Sequence, residues 1–175
     1  MDHFAPLNPT TLAIVGHSGA GKTTLIERLL PLLNARGMRV ATIKHSHHSL
    51  EFDMPGKDSW RHKQAGAAAS LLVAPSGIQL IADVANSQYL KQLTQRYFFD
   101  MNLVLAEGFS QTSCAKLEVL RKDCNPVARC TTADGLIALV TDVEVGDTTK
   151  PRFGLNDIGS IAQFIIGWHE LGVKS

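Results

Sequence analysis

The sequence predicts an α/β fold, a mixed, mostly parallel sheet with helices on both faces, and three observations support this. A glycine-rich stretch, Gly16-His17-Ser18-Gly19-Ala20-Gly21-Lys22-Thr23, stands between an apolar run and a helix-forming run. Further apolar runs alternate with helix-like segments, the order that threads parallel strands through covering helices. The run Asn102-Leu103-Val104-Leu105-Ala106-Glu107 is apolar without alternation, as a strand covered on both faces requires.

Taken in order, the first strand is expected over residues 11–15 and the first helix over 22–35. Leu25, Leu29, Leu32 and Leu33 recur there at core-facing spacing. Pro31 predicts a kink near the end of that helix, and Gly37 its stop. A second strand covers 39–44, and the loop 45–57 leads to a helix that Asp58 or Ser59 caps and that fades near Gly66. Residues 69–74 and 78–83 read as strands joined through Pro75-Ser76-Gly77, a hairpin that makes the sheet mixed. Asn86 or Ser87 caps a helix reaching about Tyr97, and strands follow at 102–107, 116–121 and 136–141. A closing helix over 157–170 buries Ile158, Ile161, Phe164, Ile165 and Trp168. The length of 175 residues suits one domain with a substantial core, so 1–175 is read as a single nucleotide-binding domain.

Composition narrows the function classes. The chain has 17 basic and 16 acidic residues and a net charge of +1, so no global field draws it to nucleic acid or an acidic membrane. It has no apolar run long enough to span a bilayer, and its first residues lack the basic-then-apolar pattern of a signal peptide. Cys114, Cys124 and Cys130 are odd in number and form no C-x-x-C pair, which argues against a disulfide framework or a zinc site. A reducing cytoplasm is the expected location.

The glycine-rich stretch matches G-x-x-x-x-G-K-[ST], the phosphate-binding loop, in the strand-to-helix context that the motif needs. The fold expected is therefore P-loop NTPase-like. Gly16, Gly19 and Gly21 clear space for backbone N–H groups to converge on phosphate oxygens, with Ser18 and Ala20 between them. The helix opening at Lys22-Thr23-Thr24 adds unsatisfied N–H groups and the positive end of its dipole. Lys22 supplies a cation for the β- and γ-phosphates, and the Thr23 hydroxyl a ligand for Mg²⁺.

Other candidates are less specific. Glu107 ends an apolar strand, where a nucleotide-binding sheet places its ligand; a carboxylate there can hold Mg²⁺ directly or through water, or orient an attacking water, the alternative being a strand-ending acid in solvent. The loop after the second strand gathers Lys44, His45, His47, His48, Asp53, Lys57 and Asp58. Its histidines lack a fourth ligand at zinc spacing, so a phosphate- or partner-binding loop, or a solvated connector, is the reading preferred over a metal site. Asp58 serves equally as a helix cap or as a ligand to magnesium or water. Asp142, ending the strand 136–141, is placed to accept from N1–H and N2–H of guanine, or is an ordinary turn aspartate, since N-K-x-D is absent. Arg121, Arg129 and Arg152 are scattered, and the arginine-rich lid of a small-molecule kinase is not found.

Together these residues resemble the MobB family of molybdopterin-guanine dinucleotide biosynthesis over nearly the whole chain. The resemblance rests on Gly16 to Thr24, on Ile43-Lys44-His45-Ser46-His47-His48, and on Asp53-Met54-Pro55-Gly56-Lys57-Asp58-Ser59. Ala65-Gly66-Ala67 and Ala106-Glu107-Gly108-Phe109 add to it. The chain departs from the pattern at Ser110-Gln111, where relatives often carry a lysine. The resemblance implies a homodimer that binds GTP with Mg²⁺, hydrolyses it slowly at best, and assists a MobA-type nucleotidyltransferase that attaches GMP to molybdopterin. Direct binding of molybdopterin is left open. The alternative function is a P-loop phosphotransferase acting on a small molecule.

Overall fold

The computed structural model describes residues 9–46, 54–83, 90–124, 127–145 and 149–173. They group into two compact units, one from segments 1–45 and 88–175, the other from 46–87.

The first unit is a six-stranded sheet with order β2-β5-β1-β6-β7-β8. Its strands are β1 (Thr10–Val15), β2 (Val40–Lys44), β5 (Leu103–Glu107), β6 (Ala115–Leu120), β7 (Leu136–Thr141) and β8 (Arg152–Phe153). Every ladder described between them is parallel. α1 (Lys22–Asn34) and α4 (Ile158–Val173) share one core with Leu12, Ile14, Leu103, Leu105, Leu117 and Val119. Alternation along the strands turns Ala13, Val15, Leu120 and Leu139 to the opposite face. There Leu90, from α3 (Leu90–Tyr97), packs with Ala106 and Phe109. Helices therefore cover both faces, as expected. Central strands carry no exposed apolar surface; Leu12, Leu103 and Leu105 are fully buried, each contributing about 1.5–3 kcal/mol of transfer free energy.

The second unit holds α2 (Asp58–Gln64), β3 (Ala69–Ala74) and β4 (Gly77–Ala82). The hairpin is where expected, but its antiparallel pair forms a two-stranded sheet of its own rather than joining the main one. Asp58 is the first residue of α2 and pairs with Arg61 at 3.5 Å; the cap position belongs to Lys57. Neither Asp58 nor Ser59 is the cap.

Most expected boundaries hold within two or three residues. α1 runs through Pro31 to Asn34, because the N–H that proline lacks falls in the last turn, and Gly37 stops it with φ +76°. Leu25, Leu29 and Leu33 face the core, whereas Leu32 is exposed, one position off the buried stripe. The Asn86 or Ser87 cap lies outside the described residues.

Candidate functional site

The sheet changes direction at β1: the chain passes from β1 to β2 on one side, and β6 lies on the other. Ligands of open α/β sheets bind at the carboxyl ends of strands beside such a switch. The phosphate loop, Gly16 to Thr23, leaves β1 at that point. Gly16 has φ +140°, and a Cβ there would collide with the Val119 carbonyl of β6, so only glycine lets the loop pass its neighbour. Gly21, in the left-handed region at φ +96°, is the N-cap of α1 and turns the loop into the helix. Ser18, Gly19 and Ala20 form the turn between them, with Ala20 N–H donating to His17 O at 3.3 Å. Thr24 lies in the first turn of α1.

Lys22 Nζ donates to the carbonyls of Gly16 (3.1 Å) and His17 (2.8 Å), which lays its side chain along the loop. Desolvation holds the ammonium below the ordinary lysine range; Glu107 opposes that shift, and the like charges of Lys44 and Arg129 add to it.

Glu107, at the carboxyl end of β5, meets the start of α1. Thr23 Oγ1 lies 2.9 Å from each of its carboxylate oxygens. Lys44, level with Glu107 in the β2–β5 register, places Nζ 3.3 Å from Oε1. Thr23 Oγ1 and Glu107 are hard oxygen donors, and their separation matches one edge of a magnesium octahedron, about 2.9 Å for bonds of about 2.05 Å. Behind Glu107, Gly108 and Phe109 both have positive φ, an unusual conformation for phenylalanine, and the Phe109 ring lies 5.2 Å from that of His45. Loop 45–57 therefore starts beside Glu107; His47 and His48 lie outside the described residues.

Lys57 and Asp58 belong to the second unit. Among the described residues no group of three or more His, Cys, Asp or Glu is arranged to hold a metal. Asp142 follows β7, and its Oδ1 accepts the backbone N–H of Lys122 at 2.8 Å, which fixes the carboxylate's orientation.

Residues 11–142 match the family model of molybdopterin guanine dinucleotide synthesis protein B, MobB. The chain belongs to the MobB family. It is 36% identical to the molybdopterin-guanine dinucleotide biosynthesis adapter protein of Haemophilus influenzae, over 90% of this chain and 88% of that protein. To the protein of the same name in Escherichia coli it is 32% identical, over 90% and 91%. A crystal structure of molybdopterin-guanine biosynthesis protein B superposes with a TM-score of 0.74 and 31% identity, covering 90% of this chain and 99% of that one. The Bacillus subtilis MobB structure gives 0.68 and 25%, over 90% and 96%. The MobB resemblance and the P-loop-like α/β fold read from the sequence are thus both correct.

Several site features escaped sequence reasoning. Lys116 and Glu118 are almost fully buried on β6. Lys116 Nζ donates to the carbonyls of Thr112 (2.6 Å) and Asp134, tying two loops together. Glu118 accepts from the backbone N–H groups of Arg129 (2.7 Å) and Cys130 (3.1 Å). The only sequence signal was a pair of charges alternating with Leu117 and Val119, which also describes a half-exposed strand. The arginines are not all scattered either: Arg121 lies against Gly21, with Nη1 3.9 Å from where a Cβ there would stand. Linear spacing hides this because β6 adjoins β1 only through the sheet.

Proposed function

We propose that this MobB-family protein binds GTP with Mg²⁺ at the phosphate loop, hydrolyses it slowly, and acts as an adapter in molybdopterin-guanine dinucleotide biosynthesis beside a MobA-type nucleotidyltransferase. The observation that carries the reading is the Thr23–Glu107 pair, two oxygen donors 2.9 Å apart at the loop. Bound Mg²⁺ would supply charge neutralisation for the β- and γ-phosphates. Lys22 serves the same phosphates, and the N–H groups opening α1 hold their oxygens. Glu107 holds the metal or orients the water whose addition to the γ-phosphorus releases phosphate and leaves GDP. A carboxylate already engaged by Thr23 and Lys44 is a positioning group more than a free base, which suits slow turnover. Asp142, oriented by Lys122, keeps lone pairs for guanine N1–H and N2–H.

The adapter role is supported by the names that the relatives carry. A homodimer is supported by the hairpin. Leu71 faces Leu80 across the β3–β4 pair and Val73 faces Ile78, four apolar side chains on one face with exposures of 42–73%. Such a patch is costly in water and suits a second copy. Among the described residues no helix is long and apolar enough to cross a membrane, and a cytoplasmic location accords with the free thiols of Cys114, Cys124 and Cys130.

The test titrates the protein with GTP and ATP, with and without Mg²⁺, and then adds the nucleotidyltransferase. Mg²⁺-dependent preference for GTP and faster GMP attachment are expected. Transfer of phosphate to an added acceptor, in place of release as inorganic phosphate, would establish the phosphotransferase alternative.

A further inference from the structure

The two flanks of the phosphate loop differ in charge. On the β5 side Glu107 is matched by Lys44. On the β6 side stand Arg121 and Arg129. The register pairs Val15 with Glu118, so the end of β6 is level with the start of the loop. Arg121 directly follows β6, and its Nη1 lies 3.9 Å from where a Cβ on Gly21 would stand, so the guanidinium rests on the residue preceding Lys22. The 3-10 turn Lys122–Cys124 continues along the loop, with Cys124 Sγ 3.4 Å from the equivalent point on Gly19. Arg129 returns to the same neighbourhood, because buried Glu118 grips its backbone N–H and that of Cys130. Its charge acts on Lys22 alongside that of Lys44.

Among the described residues, neither guanidinium makes a hydrogen bond or ion pair. Lys22, Lys44, Arg121 and Arg129 thus gather around one loop of a chain whose net charge is only +1, with Glu107 the carboxylate that pairs with one of them. Converging like charges repel unless an anion joins them. Guanidinium groups present a planar fork of N–H donors suited to phosphate oxygens.

We infer that Arg121 and Arg129 are phosphate-binding residues that approach the phosphate chain of the bound nucleotide from the β6 side, across the loop from Glu107. The inference rests on the nucleotide reading above. Glu118 is then a positioning residue, a buried carboxylate that holds the Arg129 backbone at the site.

Isothermal titration of GTP, GDP and GMP against the wild type, Lys22→Ala, Arg121→Ala, Arg129→Ala and the double arginine variant tests it. Both arginines are exposed, and circular dichroism checks that the variants are folded. Each single variant should weaken GTP binding roughly tenfold, as for a lost charge-assisted hydrogen bond, with GMP affected least. The double variant should also show a shallower salt dependence. Arg121→Lys should recover part of the loss. If the double variant binds GTP within about twofold of the wild type while Lys22→Ala loses it, the arginine assignment falls and the nucleotide reading stands. An equal loss for GTP, GDP and GMP would make the arginines structural and overturn the inference. A wild type that binds no nucleotide would overturn both.

Discussion

β5 and β3 are similar on paper. Leu103-Val104-Leu105-Ala106 and Ser70-Leu71-Leu72-Val73 are short apolar runs of nearly the same composition. In the folded chain the first four residues are fully buried, whereas Leu71, Leu72 and Val73 are 50–68% exposed. The difference lies in what each strand can reach. β5 has β1 and β2 as parallel neighbours and helices over both faces, so its carboxyl end is held in place and Glu107 is delivered to Thr23. β3 has one antiparallel partner, and a two-stranded sheet cannot cover itself. One region buries its apolar surface and fixes the end of a strand; the other leaves its apolar surface exposed.

The sharpest way to break this comparison is a matched pair of truncations. Leu105→Ala should cost about 2–5 kcal/mol of unfolding free energy, the range for a leucine deleted from a packed core. Leu72→Ala should cost under about 0.5 kcal/mol. Equal costs in urea denaturation would show that the hairpin is packed as tightly as the sheet. Next in size is Lys22→Ala, expected to weaken triphosphate binding about a hundredfold without loss of secondary structure, since the loop holds no other side-chain cation. Unchanged affinity would detach nucleotide binding from the main sheet.

Asp142→Asn should weaken GTP relative to ATP by roughly 1–3 kcal/mol, measured by competition, because the amide offers guanine a donor where an acceptor is needed. Equal losses for the two nucleotides would leave Asp142 as the cap of Lys122 alone. Glu107→Gln should keep GTP bound but slow phosphate release at least about tenfold, as expected of a residue that positions metal or water. A wild-type rate would reduce β5 to scaffolding. The smallest effect on stability falls on the hairpin: Val73→Lys with Ile78→Lys should change it by less than about 0.5 kcal/mol. Yet in sedimentation these changes should convert dimer to monomer. A dimer that survives both lysines would assign association to another surface.

How much of the site was legible depended on how local its determinants are. The turn from Gly16 to Thr23 between β1 and α1 was legible because its residues are adjacent in the chain. The place of Glu107 at the end of β5 was legible because apolar runs show where strands stop. Its pairing with Lys44 was not, since 63 positions separate partners that only the β2–β5 register makes level. Arg121 looked isolated for the same reason. Buried Lys116 was missed because a strand with alternating charges ordinarily turns them to water, whereas here the carbonyls of Thr112 and Asp134 satisfy the ammonium inside the protein.

The sequence by itself determined the α/β class, the glycine-rich loop between β1 and α1 and the approximate bounds of β1 to β7 and of the α-helices, which follow from local periodicity and adjacent residues. The MobB resemblance rests on particular strings such as Lys44 to His48 and Pro55 to Ser59. β8 was not expected. Tertiary structure alone decided that the hairpin forms a separate sheet, which strand adjoins β1 on each side, and hence that Glu107 and Arg121 flank one loop. The physical reason is that strand order and sheet membership are set by which apolar faces bury most completely against one another. That property belongs to the assembled chain and leaves no periodic trace in any one segment.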